Sequence, residues 1–223
     1  AGFEAPIHVV SLPIHKEATL AKLPAGEYKK KNVIVYSSRL DKEKNPFFMM
    51  KVAEAFLNNH PDYEWHVTTS GKKFKSMLPG VITALEKLAE EQPRFKLLTG
   101  LTKEEYYTEL ATCKIQFNSA LQDYVSWTVI ESTAFRADIV FPFFRSFPEF
   151  IDADRMYKPF DVKDALETIE DALETPKVHP HIVERSDLGR RMEGYIIAND
   201  YEHELCVWHE KELCESLLQQ ENK

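Results

Sequence analysis

The sequence lacks any stretch approaching the roughly 20 apolar residues that a membrane-spanning helix needs. It has no charged-then-apolar leader pattern, and its start at Ala1-Gly2-Phe3 without Met reads as a processed or trimmed end, as of a fragment of a longer protein. Cysteine is scarce. Cys113, Cys206 and Cys214 make an odd count with no metal-ligand spacing, which argues against a disulfide framework and against a zinc site. They are expected to be buried as small apolar residues, in a chain suited to a reducing cytoplasm. Only 7 glycines occur, and neither Gly-rich phosphate loop pattern is present. The G-x-S-x-G elbow of serine hydrolases is also missing. None of the 8 histidines pairs with another at metal spacing beside a carboxylate; His179-Pro180-His181 sits in a helix-breaking segment. Positive charge is in deficit. A formal net charge of -8 excludes the broad basic surface that holds nucleic acid, while leaving room for a local basic pocket that takes a small anion.

What is present is an ordinary globular composition, 43% hydrophobic and 29% charged over 223 residues, enough for one large α/β domain or one domain with extensions. Short β-branched and aromatic runs alternate with helical periodicity. Strands are predicted at 32–37, 64–69, 95–98, 114–118 and 139–143. Helices are predicted from Asn45-Pro46 to an end marked by Asn58-Asn59-His60-Pro61, from Val81 to Glu91, from Thr102 to about Thr112 and from Thr128 to Phe135. Asn45 is expected to cap the first of these, with Phe48, Val52, Ala53, Phe56 and Leu57 as its apolar face. Thr102 and Glu105 form a capping box on the third. A further helix over 161–174 carries Val162, Leu166, Ile169 and Leu173 on one side, and two more are predicted over 182–197 and 201–219. Near the start, 7–12 reads as a strand and 16–31 as irregular, with Lys29-Lys30-Lys31 as a solvated loop.

Strands joined by helices at this rhythm predict a parallel sheet covered on both faces. In such sheets ligands bind outside the carboxyl ends of the strands. Ser37–Arg39, Ser70–Gly71, Gly100–Leu101 and Ser119–Ser126 should therefore share one edge. Arg39 and Lys44, between a strand and a helix start, suit a phosphate, Arg by paired hydrogen bonds and Lys as a point charge. The same residues fit a charged surface loop. Asp123 and Glu131, eight apart, could accept hydrogen bonds from a sugar diol; they also fit a pair of helix-start acids with no ligand.

In order, Ser38-Arg39-Leu40, Glu43-Lys44-Asn45, Leu98-Thr99-Gly100, Thr102-Lys103-Glu104-Glu105, Ser119, the run Asp123 to Ser132 and Pro148-Glu149 resemble the C-terminal domain of retaining glycosyltransferases of the two-domain GT-B architecture, the glycogen synthase and sucrose synthase kind in glycosyl transferases group 1. The likeness covers residues 5–150. It implies an α/β fold, a Rossmann-like parallel sheet with helices on both faces that forms one half of a GT-B fold, with extra C-terminal helices. It implies an interdomain segment over 1–28, a nucleotide-sugar-binding domain over 29–177, and C-terminal helices packing on it over 178–223.

Carried over by position, Arg39 and Lys44 would neutralise the donor diphosphate and Asp123 would contact the donor sugar. Ser38 would line the donor site, backbone N–H groups of Ser126, Trp127 and Thr128 would add to it, and Glu131 would hold the ribose hydroxyls. The backbone at Gly100 and Leu101 would read the base. No metal or other cofactor is implied. The substrate would be a nucleotide diphosphate sugar, a UDP-sugar foremost, and the partner an N-terminal acceptor-binding domain, without which the chain would be inactive.

The chain departs from the family at Asp123, where Glu is usual, and at Ser38, Ser126 and Arg136, where Gly is usual. A non-catalytic binding domain of the same fold, with a degenerate donor site, is the alternative. A dinucleotide-dependent oxidoreductase is disfavoured by the missing G-x-G-x-x-G.

Overall fold

The computed structural model describes residues 14–23, 26–122 and 126–188. Six strands, β1 (Val33–Tyr36), β2 (Glu64–Thr68), β3 (Phe95–Leu98), β4 (Ile115–Phe117), β5 (Asp138–Pro142) and β6 (Met156–Tyr157), form a parallel sheet in the order β3-β2-β1-β4-β5-β6. In register, Ile34 stands beside Trp65 on one side and Ile115 on the other. The helices are α1 (Lys16–Leu20), α2 (Pro46–Asn59), α3 (Val81–Glu91), α4 (Lys103–Thr112), α5 (Trp127–Ala134) and α6 (Val162–Glu174).

Strand β1 is buried throughout because it is central and covered on both faces. Its side chains alternate. Ile34 and Tyr36 join the core under α2, α3 and α6, while Val33 and Val35 join Tyr107, Leu110 and Ala111 of α4 on the other face. Strand β5 divides likewise, Val140 to the first face, Ile139 and Phe141 to the second beside Val129 and Ile130 of α5. The expected Rossmann-like sheet with helices on both faces is therefore what forms. Burying one Phe or Leu contributes about 1.5–3 kcal/mol. Phe48, Val52, Ala53, Phe56 and Leu57 are all buried, so α2 firmly anchors the loop ahead of it, which carries Arg39 and Lys44.

Some local expectations change. Asn45 does not cap α2 with its side chain; it turns into the left-handed region (φ 49°, ψ 53°), and its carbonyl accepts from Phe48 and Met49 N–H. The capping box at Thr102 is present, with Thr102 Oγ1 accepting from Glu105 N–H at 3.2 Å and Glu105 Oε2 accepting from Thr102 N–H at 2.8 Å. The stretch 16–31, expected irregular, holds α1, whose first turn is capped by His15. Strand β6 is too short to leave a periodic signal; Tyr157 is buried in the core and pairs opposite Pro142. On α6 the deepest face is Ala165, Thr168, Ile169 and Ala172, where the two alanines allow close approach, with Val162, Leu166 and Leu173 only half-buried. Residues 180–188 are helical. The predicted strand at 7–12 and most of the two predicted terminal helices, with Cys206 and Cys214, lie outside the described residues. Cys113 is buried, and burial pushes its thiol pKa up to about 12.

Candidate functional site

The strand order reverses between β1 and β4. From β1 the chain moves outward to β2 and β3; β4 then enters on the other side of β1 and leads to β5 and β6. The connections after β1 and β4 diverge at that point, and the carboxyl edge there is the place where such sheets bind ligands. The two loops are laced together across it. Leu121 N–H donates to Glu43 O at 2.7 Å. Lys44 O accepts from Ser119 Oγ at 2.7 Å and from Tyr36 Oη at 3.1 Å.

Asn118, fully buried at the end of β4, is the hub of this edge. Its amide nitrogen donates to Thr128 Oγ1 at 3.3 Å and reaches Ser38 Oγ at 3.5 Å. Its Oδ1 accepts from Ala120 N–H at 2.7 Å and its carbonyl accepts from Tyr157 Oη at 2.7 Å. Ser126 Oγ lies 2.6 Å from Thr128 Oγ1. Ser38, Ser126 and Thr128, proposed by the sequence as donor-site residues, are thus joined through one residue that it did not single out. The only sequence trace of Asn118 is an amide at the end of a buried strand. Trp127, the first residue of α5, stands at the rim with half its surface exposed.

The charged candidates face different surroundings. Arg39 points outward and pairs with Asp41 at 3.2 Å and Glu43 at 2.8 Å. Its side chain is 72% exposed, so these pairs contribute little and can be exchanged for a phosphate. Lys44 is buried, and its Nζ donates to Gln122 O at 3.4 Å. That places its charge beside the start of the segment carrying Asp123, which itself lies outside the described residues. Glu131, on the second turn of α5, is largely buried. Its Oε1 accepts from Lys103 Nζ at 2.6 Å and from Tyr107 Oη at 3.0 Å. Burial raises the phenol pKa of Tyr107, and the Glu131 charge raises it further, so the phenol stays a donor.

Gly100 and Leu101 form the turn ahead of α4. Gly100 adopts φ 71°, which a glycine takes without strain. Both N–H groups are already engaged, Gly100 to Gly71 O at 2.8 Å and Leu101 to Thr69 O at 3.2 Å. Any reading of a base by this turn must therefore use carbonyl oxygens. The turn leads directly to Lys103 and so to Glu131. A second polar relay joins α4 to β4, because Tyr106 Oη lies 3.3 Å from Ser37 Oγ, which donates to Gln116 Oε1 at 3.1 Å.

The arrangement has positive potential at the first turn of α5 beside the Lys44 loop, and a carboxylate at Glu131 whose Oε1 is held by Lys103 and Tyr107. The first N–H groups of a helix have no partner within it, which favours a negative group there. A cleft of about 1050 Å³ beside the site takes in Ser38 and Arg39 but neither Lys44 nor Glu131. Arg39 and Lys44 share a loop, but their side chains do not share a cleft wall.

No protein-family model matches the chain, and no curated protein does. Solved structures do. The apo structure of OtsA matches over 87% of this chain and 51% of its own length, with 12% identity and a TM-score of 0.65. The N-terminal domain of Candida albicans trehalose-6-phosphate phosphatase matches over 86% and 50%, with 16% identity and a TM-score of 0.64. A mutant of S. aureus TarM, crystallised with fondaparinux, alpha-GlcNAc-glycerol and UDP, matches over 79% and 34%, with 14% identity and a TM-score of 0.56. The chain spans about half the length of these structures or less. At these identities the likeness shows the fold alone, a glycosyltransferase-like Rossmann fold of the kind that makes one half of a GT-B architecture.

Proposed function

We propose that this chain is the donor-binding domain of a retaining hexosyltransferase that takes a nucleotide diphosphate sugar, a UDP-sugar foremost. The observation that supports the reading is the switch point between β1 and β4, where the loop with the buried Lys44 and the start of α5, which carries Glu131, leave the same edge of the sheet. In this reading the diphosphate lies against the N–H groups at Ser126, Trp127 and Thr128, with Lys44 beside it and Arg39 released from its surface pairs. As the glycosidic bond breaks, negative charge grows on the leaving phosphate, and these fixed groups stabilise it without a metal. Asp123 contacts the sugar, and Glu131 holds the ribose hydroxyls.

The acceptor is held by an N-terminal domain of the same cytoplasmic protein. In support, Phe47, Trp127, Phe143 and Phe160 are exposed large apolar side chains on the segments that leave the carboxyl ends of β1, β4, β5 and β6. A facing domain would cover them. Among the described residues no helix is long and apolar enough to cross a membrane.

A specific observation favours a second reading, a non-catalytic domain with a degenerate site. The Ser126, Thr128 and Asn118 side chains occupy the space in front of α5, and Lys103 already holds Glu131. Calorimetric titration with UDP and GDP separates the two. The donor-domain reading expects binding that an Arg39→Ala change weakens. Absence of binding by either nucleotide at millimolar concentration sinks it and leaves the second.

A further inference from the structure

The connection from β2 to α3 places Lys72, Lys73 and Lys75 within four residues of a chain whose formal net charge is -8. Hydrogen bonds fix this connection as a rim. Ser76 Oγ donates to Leu40 O at 2.5 Å, and Met77 N–H donates to Asp41 Oδ1 at 3.2 Å. Gly71 O accepts from Gly100 N–H at 2.8 Å, so the rim is tied both to the loop after β1 and to the end of β3.

Behind the rim lies the cleft of about 1050 Å³. Its floor rests on the buried Leu40 and Leu85, with the half-buried Phe74, Ile82 and Leu97 beside them. Its charged lining is Arg39, Lys72, Lys73 and Lys75 against Asp41 and Glu86, four cations to two carboxylates. Asp41 is already shared between Arg39 and the Met77 N–H. Lys72, Lys73 and Lys75 are exposed, and none of the three has an ion-pair partner among the described residues. Like charges crowded on one rim repel, and a bound anion relieves that repulsion. The floor is apolar and the space exceeds what one inorganic ion fills; organic ligands occupy clefts of roughly 300–1000 Å³.

We propose that this cleft binds an organic phosphate, its phosphate on the Lys72, Lys73 and Lys75 rim and its apolar body on Phe74, Ile82 and Leu97. The cleft is built from α3 and the face of the sheet opposite α4 and α5. It shares Ser38 and Arg39 with the loop after β1, whereas Lys44, Ser126 and Glu131 are not part of it.

The test is calorimetric titration of the chain with hexyl phosphate and, separately, inorganic phosphate, with binding to phosphatidate vesicles measured by co-sedimentation. Hexyl phosphate is expected to bind about tenfold more tightly than inorganic phosphate or better, since apolar carbon leaves water against the floor. The Lys72→Gln/Lys73→Gln/Lys75→Gln variant changes only exposed side chains and should weaken both ligands about tenfold, as charge-assisted bonds are lost. Phe74→Ala should weaken hexyl phosphate and leave inorganic phosphate as it was. Hexyl phosphate binding that survives the triple change, equal affinity for the two phosphates, or displacement of hexyl phosphate by UDP one for one overturns the proposal. So does binding to phosphatidate vesicles without measurable affinity for free hexyl phosphate, which would assign the rim to a membrane surface.

Discussion

Two buried polar clusters sit at opposite ends of neighbouring strands, and they are built differently. At the amino end of β5, Asp138 is 3% exposed and accepts from Arg155 Nε at 2.9 and 3.1 Å, from Lys177 N–H at 2.8 Å and from Ile139 N–H at 2.8 Å, with His179 Nε2 at 2.9 Å. Arg155 spends its remaining donors on Asp154 and on Thr175 O. Asp138, Arg155 and His179 are all buried, and the Asp138 charge is compensated on the spot, although His179 Nδ1 has no hydrogen-bond partner among the described residues. At the carboxyl end of β4, Asn118 joins hydroxyls to one another, and the flanking charges and aromatics open to solvent. A buried pair whose partners are all protein holds the chain together, here fastening the segment after α6 to the sheet. A polar cluster with an open side is available to a ligand. Burial by itself does not separate the two; an open side does.

The largest effect expected from this contrast is at Asp138. Asp138→Ala leaves Arg155 buried without its carboxylate and should lower the unfolding free energy by about 3–5 kcal/mol, read by chemical denaturation. A midpoint close to that of the parent would break the distinction. At the open end, Lys44→Met should instead be read in binding. Loss of one charged hydrogen-bonding group, worth about 1.5–3 kcal/mol, weakens UDP about tenfold or more in the donor-domain reading.

A smaller effect attaches to His66, between the two ends on β2. Burial opposes its charge, but its ring nitrogens lie 2.7 Å from Glu109 Oε2 and 3.0 Å from Glu64 Oε2, and these bonds outweigh burial and raise its pKa. A raised folded pKa gives stability that is complete below the unfolded value of about 6.5 and is lost as pH rises through the folded one. Unfolding free energy should therefore fall above about pH 6.5, and His66→Phe should flatten that part of the profile. Asp138 has the opposite sign. Burial raises its pKa, but His179 and Arg155 outweigh that and hold it low, so its stabilisation is lost on the acid side, as pH falls through the folded value.

Arg136 sits at φ 59°, where an L side chain is strained by about 1 kcal/mol or more. Arg136→Gly should stabilise the fold by that order, measured as a shift in Tm. The smallest change is Ser126→Gly. It should cost only a few tenths of a kcal/mol at a helix start. It removes a hydroxyl from in front of α5 and, in the donor-domain reading, strengthens UDP binding.

Arg136 also shows how far the sequence could be read. It stands where the resembled family has glycine, and the backbone keeps the glycine-type conformation. Ser38 and Ser126 fill such positions too, yet neither has positive φ, so those substitutions cost space at this edge of the sheet rather than backbone strain. The strand and helix boundaries at 81–91 and 95–98, and the box at Thr102 and Glu105, were legible because period and capping are local. Asn118, Lys103 and Tyr107 were not. Their roles depend on which side chains other elements bring within 3.5 Å, and no spacing along the chain encodes that.

The sequence by itself determined the alternation of strands and helices and the edge on which the candidate residues collect. Side-chain period and parallel connection are sufficient for both. Only the tertiary structure decided how those residues divide. Entry of β4 beside β1 set Lys44 inward against the loop that carries Gln122 and left Arg39 outward on a separate cleft. It also brought Lys103 onto Glu131 through the contact of α4 with α5. Those are contacts between segments far apart in sequence, and their geometry follows from packing the whole sheet rather than from any one segment's pattern.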